Sequence, residues 1–149
     1  MKIYTGTLNF LHKLVPLADV GLRLWIFKAF FFSGWIKTKN WASTIYLFEN
    51  EYHVPLLSAE VAAYLGTAAE LCLPIILIFG LCTRVCASFL FLLNLTMVLC
   101  YPFLWTADGA LGLQQHITWG LMVIVIMAYG PSKISLDYLI KKKFPNYEY

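Results

Sequence analysis

Residues 61–79 read VAAYLGTAAELCLPIILIF, an unbroken apolar run with a single charged residue, Glu70, near its middle. A helix of this length rises about 1.5 Å per residue and covers about 30 Å, the thickness of a bilayer's hydrocarbon layer. Three further stretches of similar character occur at Leu17–Lys37, Val85–Leu104 and Leu111–Gly130. One such run could be a buried core helix. Four in 149 residues leave too little polar chain to wrap a soluble core. The sequence therefore predicts an all-α fold: a single membrane domain over residues 1–149, built as a four-transmembrane-helix bundle with short interfacial amphipathic helices.

Composition agrees. The chain is 60% hydrophobic and 13% charged, with mean hydropathy +0.71, against about 25% charged in an ordinary soluble domain. A net charge of +3, with the basic residues in flanks rather than in a stripe, argues against nucleic acid as a partner and for the lipid bilayer. The first 16 residues lack a continuous apolar run and a small-residue cleavage site, so they do not read as a signal peptide. Ile3, Leu8, Leu11, Leu14 and Val15 instead suggest a short helix on the membrane surface.

Threading four spans puts Lys2, Lys13, Arg84, Lys133, Lys141, Lys142 and Lys143 on one side and Lys37 and Lys39 on the other. The positive-inside rule then places both termini and the turn at Gly80–Arg84 on the cytoplasmic side. The long outer segment carries Trp41, Ile45, Phe48 and Tyr52 at helical spacing. It predicts an interfacial helix over about 40–51, followed by a turn at His53-Val54-Pro55. That helix reads either as a headgroup-level anchor or as a lid over an outward pocket. Trp35, Tyr101 and Trp105 fall where an aromatic belt is expected. The tail 131–149 pairs Ile134, Tyr138 and Leu139 with three lysines, as in a helix held at an anionic inner leaflet.

The residues that bear on chemistry are the polar ones at membrane depth. Threading places Lys28, Glu70 and Asn94 near the midplane, Arg23 toward the inside and His116 toward the outside. A charge there costs several kcal/mol or more unless it is paired or hydrated. Glu70 is expected to pair with either Arg23 or Lys28, and Asp19, four residues before Arg23, offers that arginine a local alternative. Thr67, Glu70 and Pro74 share one stripe of their helix. Phe91, Asn94, Val98 and Tyr101 share another, and Gly112, His116, Trp119 and Met127 a third. These groups read either as an interhelical clamp or as a ligand or proton-relay site. With a single histidine in the spans, bis-histidine haem is disfavoured. A di-iron site would need several Glu and Glu-x-x-His pairs, and zinc a Cys or His cluster. No metal site is expected. Cys72, Cys82, Cys86 and Cys100 read as small apolar fillers.

The chain resembles the DoxX family of small bacterial four-helix membrane proteins. The resemblance is carried by Leu22-Arg23-Leu24 leading into Phe32-Ser33-Gly34-Trp35-Ile36-Lys37, by Ala69-Glu70-Leu71 leading into Phe79-Gly80-Leu81-Cys82-Thr83-Arg84, and by His116 through Tyr129-Gly130-Pro131. Pro74 departs from the small residue that relatives often have there. The resemblance implies a subunit of a redox system coupling thiol or sulfur-compound oxidation to the quinone pool. On this chain it would assign Glu70, Arg23 and His116 to proton handling and charge. Lys28 and Asn94 would act as donors, with Phe91, Tyr101 and Trp119 packing a quinone ring. A protein partner supplying electrons, or a homo-oligomer, is implied with it. The alternatives are a non-enzymatic assembly or scaffold subunit and a small proton-coupled transporter.

Overall fold

The computed structural model describes residues 2–144, with residues 2–10 as helical backbone only. Among the described residues six α-helices follow one another: α1 Lys2–Lys39, α2 Trp41–Asn50, α3 Ala59–Phe79, α4 Thr83–Cys100, α5 Ala110–Tyr129 and α6 Leu136–Lys143. A 3-10 turn, Pro102–Trp105, stands between α4 and α5. Among the described residues there is no strand. Helices α3, α4 and α5 are each long and apolar enough to cross a membrane. Helix α1 is long enough but carries Asp19, Arg23, Lys28 and Lys37.

Helix α1 packs chiefly on α3, α4 on α5, and α3 on α4, with a lighter α1–α5 contact closing the ring. The side chains that meet inside are apolar: Ile26 and Phe30 from α1, Leu77 from α3, Cys86, Ala87 and Leu90 from α4, Val123 and Ile126 from α5. Much of the remaining surface is bare hydrocarbon, including Phe89, Leu99 and Leu121 at 56%, 66% and 60% exposure. In water such a surface would aggregate; in lipid it is the wetted face.

Two boundaries and the attachment of the tail differ from expectation. The predicted surface helix before residue 17 is not separate. Helix α1 runs without a break through Pro16 to Lys39, and the side chains of Ile3 and Leu8 lie outside the described residues. The third span stops at Cys100 rather than Leu104, because Pro102 has no N–H to continue the ladder and disfavours helical backbone at Tyr101. The tail is held more firmly than a loose surface helix, as described below; residues 145–149 lie outside the described residues.

Helix α2 starts on an Asn40 cap, whose side chain accepts from the Ser43 amide at 3.1 Å. It buries Phe48 against Ala62, Ala63 and Met97. Gly66 makes room for it: a Cβ there would come within 3.3 Å of the Phe48 ring. The Tyr52 ring packs between Phe48 (tilted) and Tyr101 (edge-on), both with centroids at 4.8 Å, and the His53 amide donates to the Cys100 carbonyl at 2.7 Å. Helix α2 is therefore docked over one end of the bundle, with α6 at the other.

At the α6 end, Gly80 closes α3 in the left-handed region (φ +65°), where a Cβ would strike the Arg23 guanidinium and Ser135. Cys82 follows, also left-handed (φ +45°), and offers α4 no side-chain cap. The cap comes from Asp137 on α6. Its carboxylate accepts from the amides of Cys82 and Thr83 and from the Thr83 hydroxyl, each at 2.8 Å, and is fully buried. An anion at a helix N-terminus satisfies otherwise orphaned donors and complements the helix dipole. The Asp137 amide returns a bond to the Gly80 carbonyl at 3.0 Å. So α6 is latched onto the α3–α4 turn, with Lys142 and Lys143 turned outward.

Candidate functional site

Besides the Arg23–Asp19 pair, three polar groups stand within or against the described bundle, and they differ in how far they satisfy themselves. The first joins α1 to α3. Lys37 Nζ donates to both oxygens of Glu70, at 2.8 and 2.7 Å, and to Ser33 Oγ at 2.9 Å. Ser33 Oγ donates in turn to Glu70 Oε1 at 3.2 Å. Glu70 is nine-tenths buried or more, and the lysine nearly so. Gly34 permits this: a Cβ there would lie 2.9 Å from Glu70 Cβ and 3.0 Å from Leu71 Cγ, so only glycine lets the helices approach so closely. Pro74 removes the helical donor from the Glu70 carbonyl, and Thr67 Oγ1 one turn away is buried without a hydrogen-bond partner among the described residues.

This corrects the expected pairing. Glu70 meets neither Arg23 nor Lys28 but Lys37, which threading had set aside as a flanking charge. The physical reason is that α1 continues to Lys39, and the lysine at its end is long enough to fold back along the helix to Glu70. Arg23 lies toward the α6 end. Its Nε donates to Asp19 Oδ1 at 3.1 Å and one terminal nitrogen donates to the Leu77 carbonyl at 3.4 Å, while the other terminal nitrogen lies 2.9 Å from Asp19 Oδ2 as an ion pair without hydrogen-bond alignment. The local Asp19 alternative thus holds.

The second group joins α4 to α5. Asn94 Nδ2 donates to the His116 carbonyl at 3.0 Å, and Asn94 Oδ1 faces His116 Nδ1 at 2.9 Å. Because the amide donates through nitrogen, its oxygen is the atom presented to the ring. Nδ1 therefore carries the proton, and Nε2 of the neutral imidazole is an acceptor. Gly120 keeps the space open, with a Cβ there meeting Asn94 Nδ2 at 3.2 Å. Phe91, Asn94, Val98, His116 and Gly120 line a hollow of about 190 Å³ that opens between the two helices. The Trp119 ring stands edge-on to His116 at 5.0 Å and contacts Phe30 at 5.9 Å.

The third group is not satisfied. Lys28 is exposed on α1. It lines a groove of about 520 Å³ between α1 and α5, with Trp25, Phe32, Gln114, Gln115 and Trp119. Tyr101 belongs to none of these. It sits at the α2 end, where its hydroxyl donates to Glu51 at 2.9 Å. There burial pushes its phenol above the usual range, with Glu51 adding to the shift. Burial also raises the Tyr52 phenol, with the negative charge of Glu70 adding to the shift.

Of the eight residues expected to form one site, the structure thus brings together Phe91, Asn94, His116 and Trp119, and separates Glu70, Arg23, Lys28 and Tyr101. Sequence reasoning missed Lys37 and Ser33 as partners of Glu70. The available signal was Ser33-Gly34 and Lys37, a hydroxyl and an amine one turn apart beside a glycine. It also missed Asp137. Among the described residues no three metal-ligating side chains stand together, and Cys72, Cys82, Cys86 and Cys100 form no disulfide.

The DoxX family model matches residues 18–102, from α1 to the end of α4. The chain is therefore a DoxX-family membrane protein. A Haemophilus influenzae (strain ATCC 51907 / DSM 11121 / KW20 / Rd) protein described as uncharacterized is 29% identical over 134 residues, covering 83% of each chain. No solved structure matches.

Proposed function

We propose that this chain is the membrane subunit of a redox system that passes electrons from a thiol or sulfur compound to the quinone pool. The ring would bind in the α4–α5 hollow beside His116. The observation that carries this is the Asn94–His116 pair, which fixes a tautomer with Nε2 free to accept a proton at a hollow open between two spans. Oxidising two thiols to a disulfide releases two electrons and two protons, and reducing one quinone to quinol consumes both. His116 would relay one of those protons. Phe91, Leu95, Val98 and Leu121 supply the aromatic and apolar walls that such a ring needs. A protein partner would bring the electrons.

The topology fits α1 as a fourth crossing. Of the four charges that count against it, Asp19 pairs with Arg23 and Lys37 with Glu70, so only Lys28 is left to be solvated. Arg84, Lys133, Lys142 and Lys143 gather at the α6 end. At the α2 end Lys37 is neutralised, leaving Lys39 over the Trp35 ring at 4.1 Å. The positive-inside rule then puts the α6 end and both termini in the cytoplasm of an inner membrane.

A scaffold role is the second reading, favoured by the closed Lys37–Glu70–Ser33 cluster, which needs no ligand. Titrating the detergent-solubilised protein with a short-chain quinone, read by tryptophan fluorescence, separates the two. Saturable quenching is expected, weakened at least tenfold in His116→Leu. Quenching no greater than partition into empty micelles would leave only the scaffold reading.

A further inference from the structure

Lys28 shares its groove with Thr118 and Trp119, and Phe30, two residues along α1, meets the Trp119 ring, which sets Lys28 near the middle of the 20 residues of α5. At about 1.5 Å per residue, that position is some 13 Å below either end of the helix. An extended lysine reaches only about 6 Å from its Cα, so the ammonium cannot snorkel to a headgroup. No ion pair or hydrogen bond holds it among the described residues. Gln114 and Gln115 are exposed in the same groove, as are Trp25 and Phe32, at 57% and 53%. Helix α5 is also the least covered of the three candidate spans, with 17% of its apolar window buried against 39% and 44%. Hydrocarbon can satisfy neither an ammonium nor two carboxamides. This face differs from the α3 and α4 surfaces, where the exposed side chains are mostly apolar.

From these observations we propose that the α1–α5 groove is the docking surface for a transmembrane helix of a different protein, one carrying an aspartate or glutamate near its middle. The occupant follows from charge. Among the described residues a second copy of this chain has no carboxylate to offer at that depth: Asp19 and Glu70 are paired inside the bundle, Asp137 caps α4 at the α6 end, and Glu49, Glu51, Glu60 and Asp108 lie in or beside the α2-end connections. Facing two copies across this groove would set Lys28 against Lys28. A helix with one carboxylate would neutralise the ammonium, and its flank would take bonds from Gln114 and Gln115, as buried polar contacts between membrane helices do. The groove is separate from the hollow holding Asn94, so the inference stands whether or not a quinone binds there.

The test is photocrosslinking in native membranes with the full chain carrying a benzophenone side chain at Gln115, and at Leu99 as a lipid-facing control. The expected result is an adduct from Gln115 with another membrane protein, in a helix with a mid-span carboxylate. That adduct should fall at least tenfold in Lys28→Gln. It should be lost in Lys28→Glu and return when the partner's carboxylate is changed to Lys. Lys28 is exposed and unbonded, so both variants should keep the parent's thermal unfolding midpoint; a shift in that midpoint would mean Lys28 is structural and would overturn the proposal. An adduct of twice the chain mass, an adduct with lipid or quinone only, an adduct unaffected by Lys28, or one no stronger than at Leu99 would overturn it equally.

Discussion

The Lys37–Glu70 ion pair makes a quantitative prediction about what holds α1 against α3. Both charges are largely withdrawn from solvent, and Nζ sits 2.8 and 2.7 Å from the two carboxylate oxygens. Removing one partner of such a pair strands the other, at about 3–5 kcal/mol; a neutral polar contact between membrane helices is worth only about 1 kcal/mol. The two single substitutions should not cost the same. Lys37 occupies the last turn of α1 and can swing toward the interface when Glu70 is lost. Glu70 is eleven residues into α3 and has no such exit. Lys37→Met should therefore cost about 3 kcal/mol or more, and Glu70→Gln about 1–2 kcal/mol. Lys37→Met/Glu70→Gln together should cost less than the sum of the two, with a coupling of about 2 kcal/mol. The assay is reversible unfolding in mixed micelles by increasing SDS fraction, followed by far-ultraviolet circular dichroism. A coupling under about 0.5 kcal/mol, or equal cost for the two single variants, would refute the clamp and the asymmetry argued for it.

Two further substitutions probe the frame around the site. Asp137→Ala removes three acceptor contacts from buried donors at the start of α4. It should cost about 2–4 kcal/mol in the same assay and speed proteolysis within α6, whereas Asp137→Asn, which keeps one acceptor oxygen, should cost roughly half as much. Gly34→Ala pushes a methyl to within 3 Å of Glu70 Cβ and Leu71; the expected loss is about 1–3 kcal/mol, read as a lowered unfolding midpoint, while Gly21→Ala, where a Cβ meets nothing within 4 Å, should be neutral or stabilising.

What could be read in the sequence was what hydrophobic length and helical period determine. The runs around Glu70, Asn94 and His116 appear as α3, α4 and α5, and Trp41, Ile45 and Phe48 as one face of α2, because each signal is local to its helix. Which helix supplies the counter-charge to Glu70 is a different kind of question. It depends on how far α1 slides along α3, and that is set by small residues such as Gly34, whose effect is visible only once two backbones are packed. Threading by depth assumed that spans begin and end together. Because α1 extends past its expected limits, the estimate moved Lys28 onto Glu70's level and Lys37 out of reach. Asp137 was illegible for a similar reason. Its partners, Cys82 and Thr83, are more than fifty residues away, and nothing in the tail's own pattern of lysines and apolar residues marks one aspartate as a cap for another helix.

The depth of a polar residue therefore does not by itself separate structure from function in this protein; how completely its bonds are closed does. Arg23 is largely closed, by the Asp19 ion pair and the Leu77 carbonyl, with one nitrogen held by charge alone, and Glu70 is closed by Lys37 and Ser33. A ligand would have to displace a charged hydrogen bond to use either one, against a cost of several kcal/mol. His116 is half closed, held at Nδ1 and open at Nε2, which is the condition of a group oriented to act on something else. Lys28 is not closed at all. Of the two readings the sequence left open for Glu70, clamp and relay, this ordering favours the clamp. In hydrocarbon, where water cannot complete a bond, an open valence must be completed by a partner. The open valences lie on the α4–α5 and α1–α5 faces, so α5 is where the chemistry and the contacts of this bundle should be sought.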